Sequence, residues 1–159
     1  MNLQCIVKEA FEVIGKEGTG DSSQGYLWVP PLWKEANDKF AEISGMVKLE
    51  ADGRIAGVWG AMSDINYEFK PWDLKGKYLA GCEVTEGSAA PAGWIKWRVP
   101  AFRYVTAECN SEEYGKVFQY VLKDYFKEKG LTLIGAVHEY YPEPGNTEKL
   151  CLYFPIEKL

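Results

Sequence analysis

The chain carries an internal repeat, and that constrains its fold more than any other feature. EAFEVIGKE (Glu9 to Glu17) and PAFRYVTAE (Pro100 to Glu108) share Ala, Phe and the closing Glu at a constant offset. IAGVWGAMSD (Ile55 to Asp64) and LIGAVHEYYPE (Leu133 to Glu143) each follow a helix signal after about a dozen residues, with Gly57 and Gly135 in the same place. Each copy reads strand, helix, strand, strand. Two βαββ modules joined edge to edge predict an α+β fold: one continuous antiparallel sheet, two helices, and a pseudo-twofold groove where the copies meet. The 159 residues then form one domain, with pseudo-repeats over about 1–85 and 94–159. The small, turn-rich EGSAAPAG (Glu86 to Gly93) is the natural linker.

The helices are the more legible elements. Tyr114, Val117, Phe118, Val121, Leu122, Tyr125 and Phe126 form an apolar stripe that predicts a helix over Ser111 to Lys129. Asn110 with Glu113 suggests a capping box, and Gly130 a stop. A second helix is expected to begin at Pro30 and Pro31, with Leu32, Trp33, Ala36, Phe40 and Ile43 on one side and Gly45 beyond its end. Alternating segments predict strands over Cys5–Glu17, Arg54–Ser63, Lys77–Val84, Trp94–Cys109, Thr132–Tyr141 and Lys149–Ile156, with Pro100 marking a bulge or an edge.

Composition narrows the partners. A hydrophobic content of 47% is ample for a core, and a formal net charge of −5 with interspersed signs offers no basic patch for phosphate backbones. Nucleic acid is not an expected partner. No run of about 18 apolar residues and no basic-then-apolar start occurs, so neither a membrane span nor a signal peptide is predicted, and the cytoplasm is the expected location. Cysteines at 5, 82, 109 and 151 form no CxxC pair and have a single histidine for company, which argues against zinc; they read as small buried hydrophobes. No metal or cofactor is expected. GKEGTGDSSQG (residues 15–25) lacks the ending of a phosphate loop and reads as a loop at the groove mouth or on the surface. GAMSD has no nucleophile elbow around its serine. The aromatic content, six Trp, ten Tyr and seven Phe, exceeds what filling a core of this size needs, and points to a binding surface or cavity.

One segment sets a charge among those rings. In GAVHEYYPEPGN (Gly135 to Asn146), strand alternation places Val137, Glu139 and Tyr141 on one face and Ala136, His138 and Tyr140 on the other. Glu139 is therefore either solvated or held among aromatic rings. A carboxylate withdrawn from water must take up a proton or await a cation. His138 points away from it and reads as structural.

The duplicated module, the openings EAFEVIGKE and WIKWRVPAFRYV, the phrases GVWGAMSD and YLAGCEV, and the ending GAVHEYYPEPGNTEKLCLYFPIE together resemble the GyrI-like family of small-molecule-binding domains, which also serve as effector domains of multidrug-sensing and AraC-type regulators. The resemblance covers essentially the whole chain. It implies a central groove that takes bulky, hydrophobic, often cationic compounds between aromatic side chains, with an acidic residue meeting the positive charge. The matching position here is Glu139. Residues 1–17 read as the first strand of the domain, so no helix-turn-helix is expected ahead of it, and a direct transcriptional role is set aside.

Parity and pseudosymmetry then supply candidate walls. Tyr141 shares the face of Glu139. Trp59, two residues after Gly57, corresponds to Val137 and is expected to enter the groove from the other module. Trp97, Tyr104 and Tyr153 follow from strand position, and Trp33 from its place near the start of the first helix. The main reading is binding of hydrophobic cations. The alternative is a hydrolase that opens cyclopropane-bearing, DNA-alkylating compounds, an activity found among similar GyrI-like proteins, with Glu139 and Tyr141 as the catalytic pair. A third reading, modulation of gyrase through protein contact, follows from the family's name and ranks last, since the acidic residues form no stripe.

Overall fold

The computed structural model describes residues 2–159. In chain order the elements are β1 (Leu3–Lys8), β2 (Phe11–Asp21), α1 (Gly25–Lys39), β3 (Val58–Ser63), β4 (Lys75–Val84), β5 (Ile95–Val99), β6 (Phe102–Asn110), α2 (Tyr114–Tyr120), α3 (Phe126–Lys129), β7 (His138–Tyr141) and β8 (Lys149–Lys158). The strands form one antiparallel eight-stranded sheet in the order β1-β6-β8-β7-β3-β4-β2-β5. Read from either end, this order is the same once β1 to β4 are exchanged with β5 to β8. The sheet therefore carries the symmetry of the repeat, with the pseudo-twofold between β3 and β7, as an α+β duplication requires.

Only Glu9 and Ala10 separate β1 from β2, yet the two strands stand first and seventh in the sheet. In a flat sheet they would lie roughly 29 Å apart, and two residues cannot bridge that. The sheet must curl. Pro100 and Ala101 impose the same curl between β5 and β6. Each half thus lends its first strand to the far edge of the other, which is why the expected single strands Cys5–Glu17 and Trp94–Cys109 are each broken in two. Inside the curl lies an aromatic core of Phe11, Trp59, Phe69, Trp97, Phe102 and Tyr104, without a helix over it.

Both helices pack on the other face. Helix α1 lies over β2 and β4 through Ala36, Tyr78 and Ala80, and α2–α3 over β6 and β8 through Val117, Val121, Phe126, Leu152 and Phe154. A π-helical turn, Val121–Tyr125, joins α2 to α3, so that Phe126 is buried five residues after Val121. Gly130 closes this helix in the left-handed conformation, as expected. Asn110 and Glu113 bond each other (3.4 Å) and form no capping box, because Ser111–Glu113 is a 3-10 turn ahead of α2.

Other expectations need correction. Helix α1 begins at Gly25, and Pro30 and Pro31 lie inside it. The carbonyls of Tyr26 and Leu27 lose their helical donors there, but both residues are exposed, where solvent can replace those donors. The expected loop over residues 15–25 is mostly strand: a side chain at Gly18 or Gly20 would strike Leu32 or Trp28, so these glycines mark the close approach of α1 to β2. The expected strand Thr132–Tyr141 shrinks to β7. Cys5, on edge strand β1, is exposed, whereas Cys82 is buried and its thiol pushed up to about 12. Among the described residues no helix is long and apolar enough to cross a membrane, and no cluster of three or more His, Cys, Asp or Glu is placed to hold a metal ion.

Candidate functional site

Glu139 stands on the helix-bearing face at the centre of the sheet, where the modules meet. Its cross-strand partner on β3 is Gly60. A side chain at Gly60 would begin 2.6 Å from Glu139 Oε1 and closer still to the Tyr78 hydroxyl. That space is filled instead by a network converging from both modules. The Tyr78 hydroxyl of β4 donates to Glu139 Oε1 and accepts from the Trp33 indole N–H of α1 (2.8 Å). The Tyr114 hydroxyl, at the first turn of α2, donates to Oε2 (2.6 Å), and Tyr141 donates to Oε1 (3.3 Å).

Electrostatics follow from this packing. Glu139 is 9% exposed, and burial lifts its carboxyl above the ordinary range although the hydroxyls of Tyr114, Tyr78 and Tyr141 pull it down. Burial, then the neighbouring Glu139 charge, holds the phenols of Tyr78 and Tyr114 far above theirs, so they remain donors. With three hydroxyls already bound, the carboxylate keeps little acceptor capacity for another donor, while among the described residues no cationic side chain is in hydrogen-bond contact with it.

Beside this network lies a mostly apolar cavity of about 780 Å³, walled by Trp33 of α1, Phe40 of the 3-10 turn that follows it, Val58, Tyr141, the Leu49–Ile55 hairpin and the turn Pro144–Thr147. Glu139 itself sits one layer behind the wall. Tyr141 belongs to both cavity and network, and the Trp33 ring stands edge-on to Tyr141 at 5.5 Å and to Tyr78 at 6.2 Å.

The structure thus brings Glu139, Tyr141 and Trp33 together. It does not bring Trp59, Trp97, Tyr104 or Tyr153 to them: all four belong to the aromatic core inside the curl, on the opposite face. For Trp59 the cause is a single-residue slip. Aligning Gly57 with Gly135 equates Trp59 with Val137, but in the sheet Trp59 pairs with Tyr140 and faces its way. Gly57, at φ 119°, precedes β3 in a conformation outside the strand, so glycine matching does not preserve strand parity. His138 is on the inner face as expected; its Nδ1 accepts the Met62 N–H (3.1 Å), and burial lowers it to about 3, leaving it neutral. The sequence reading missed Tyr78, Tyr114 and Gly60. Tyr114 was absorbed into the apolar stripe of its helix, and the signal for the other two was the gap that a glycine leaves opposite a strand carboxylate.

The family model described as GyrI-like small molecule binding domain matches residues 1–157. The chain belongs to this family. Similarity extends to the transcriptional regulator BrlR of Pseudomonas aeruginosa, 29% identical over 165 aligned residues covering 98% of this chain and 56% of the regulator, so the domain spans about half the length of that relative. Among solved structures it resembles SAV2435 bound to tetraphenylphosphonium (TM-score 0.71, 16% identity, 99% of this chain and 94% of that one). The EcmrR C-terminal domain is also similar (TM-score 0.60, 17% identity, all of both chains). At these identities the likeness is one of fold, and this GyrI-like domain shares that fold over its full length.

Proposed function

We propose that this GyrI-like domain binds bulky hydrophobic cations in the groove beside Trp33 and Tyr141, with Glu139 as the counter-charge, and that it does so in the cytoplasm without contacting nucleic acid itself. The observation that carries the reading is a buried carboxylate at the module junction, held by tyrosine hydroxyls yet without a cationic partner among the described residues, next to an aromatic cavity of about 780 Å³. A unit positive charge about 6 Å from Glu139 gains roughly 3 kcal/mol at an effective dielectric of about 20. Each ring face turned to it adds roughly 0.5–2 kcal/mol. Flat rings accept many shapes, so the groove selects charge and lipophilicity over detailed outline. The tetraphenylphosphonium complex of the fold neighbour SAV2435 supports the same ligand class.

The test is calorimetric titration with tetraphenylphosphonium across pH. Only the ionised carboxylate attracts the cation, and burial raises the Glu139 pKa. Affinity is therefore expected to fall as pH drops through that raised value, since the phosphonium does not titrate. Affinity that stays flat from about pH 8 down to about pH 4 would exclude Glu139 as the counter-charge.

A second reading, hydrolysis of a strained electrophile, rests on Tyr141, whose ring lines the cavity and whose hydroxyl bonds Glu139 at 3.3 Å. Water would add to a ring carbon as the strained C–C bond opens, its proton relayed through the Tyr141 hydroxyl to Glu139 while the departing centre takes a proton from solvent. Chromatography after incubation with a cyclopropane-bearing compound separates the readings: a ring-opened hydrate means hydrolysis, and unchanged compound means binding alone.

A further inference from the structure

Among the described residues, three buried side-chain polar atoms meet no protein partner: Trp59 Nε1, the Tyr104 hydroxyl and His138 Nε2. Their residues are 2%, 0% and 1% exposed, and all lie inside the curl, across the sheet from Glu139. All three atoms are donors. The indole carries N–H, burial keeps the Tyr104 phenol protonated, and the neutral His138 ring, accepting at Nδ1, holds its proton on Nε2. Each buried donor left unpaired costs roughly 1–3 kcal/mol, so three in one cluster call for an acceptor.

The three surround one residue. Tyr153 packs 5.0 Å from Trp59 and 5.2 Å from Tyr104, and its cross-strand partner is His138. On its other side Tyr153 lines a cavity of about 850 Å³. Register lays out the floor of that cavity in rows: Gln4, Thr106 and Tyr153 stand side by side on β1, β6 and β8, and Glu108, Cys151 and Tyr140 on β6, β8 and β7. Tyr140 and Tyr153 supply aromatic walls, their rings at 74° to one another. Beyond the end of the inner face the same cavity is lined from the helix side by Cys109, Leu150 and, on α2, Lys116 and Val117, with Lys149 and Glu113 alongside. No buried carboxylate waits here, and the chemistry of the cluster behind Tyr153 is the reverse of that at Glu139.

We propose that the inner-face part of this cavity is a second small-molecule site, for a planar aromatic compound bearing an acceptor oxygen such as a carboxylate or phenolate, which meets the Tyr104, Trp59 and His138 donors once the Tyr153 ring turns aside. Strand β7 then serves both sites, since Tyr141 lines the cation groove and Tyr140 the second cavity.

The test uses the whole chain and 1-naphthoate, followed by calorimetry. The wild type is expected to bind it while retaining its tetraphenylphosphonium affinity, and Tyr104→Phe to weaken naphthoate by about fivefold or more without loss of thermal stability, since the hydroxyl has no partner to lose. Trp59→Phe gives the same comparison at the second donor. Absence of naphthoate binding overturns the proposal. So does binding that both variants leave unchanged, or simple competition between naphthoate and tetraphenylphosphonium for a single site.

Discussion

Glu139→Gln is expected to weaken tetraphenylphosphonium binding at least tenfold, about 1.4 kcal/mol, and to abolish its pH dependence. Glutamine is isosteric: its amide oxygen can still accept from Tyr78, while its N–H group faces Tyr114, whose hydroxyl turns to accept it, so the network loses charge before it loses shape. The remaining affinity measures the rings of Trp33 and Tyr141 alone. The same substitution removes the cost of burying an ionised group, so thermal stability is expected to hold or rise. A variant that unfolds would show that the carboxylate is chiefly structural. Unchanged affinity in a folded variant would separate Glu139 from the ligand altogether. Calorimetry on the pair, with melting curves beside it, distinguishes the three results.

Gly60→Ala, one methyl group, is expected to do greater damage than the loss of the charge. The new carbon would lie 2.6 Å from Glu139 Oε1 and nearer still to the Tyr78 hydroxyl. Neither can yield easily: Tyr78 is 1% exposed and held by Trp33, and Glu139 is tied to Tyr114 on the opposite helix. Overpacking costs about 1–3 kcal/mol, and separating a charged acceptor from its donor about 1.5–3 more. A stability loss of about 3 kcal/mol or more in chemical denaturation, with tetraphenylphosphonium binding lost in parallel, is the expected outcome. Combining Gly60→Ala with Tyr78→Phe removes the atom that the methyl group strikes first and should restore part of the stability. A Gly60→Ala protein as stable as the wild type would mean that β3 and β7 do not meet as closely as the Gly60–Glu139 pairing requires.

How far the sequence revealed this site can be told from particular residues. The module order, the helix over Tyr114 to Lys129 and its Gly130 stop were legible because helical periodicity and glycine stops are local signals. Glu139 came from the family resemblance, Tyr141 from strand alternation and Trp33 from its place near the start of the first helix, and the structure brings the three side by side. Trp59 was placed on the wrong face because strand parity flips with a single-residue slip, and the nearest landmark, Gly57, lies outside the strand. The exchange of β1 and β5 between halves was invisible, since two-residue breaks at Glu9–Ala10 and Pro100–Ala101 leave the alternation nearly intact. Tyr78 and Tyr114 were hidden for a different reason: each sits in an apolar pattern that explains it fully, and only the pairing of distant strands shows that their hydroxyls meet one carboxylate.

The most direct measurement is a crystal structure of the protein with tetraphenylphosphonium bound. The account predicts the phosphonium in the groove between α1 and the β7–β8 turn, its phenyl rings against Trp33 and Tyr141, and Glu139 as the nearest anionic group. A phosphonium seated inside the curl against Tyr153, or elsewhere with Trp33 and Tyr141 undisturbed, would contradict it.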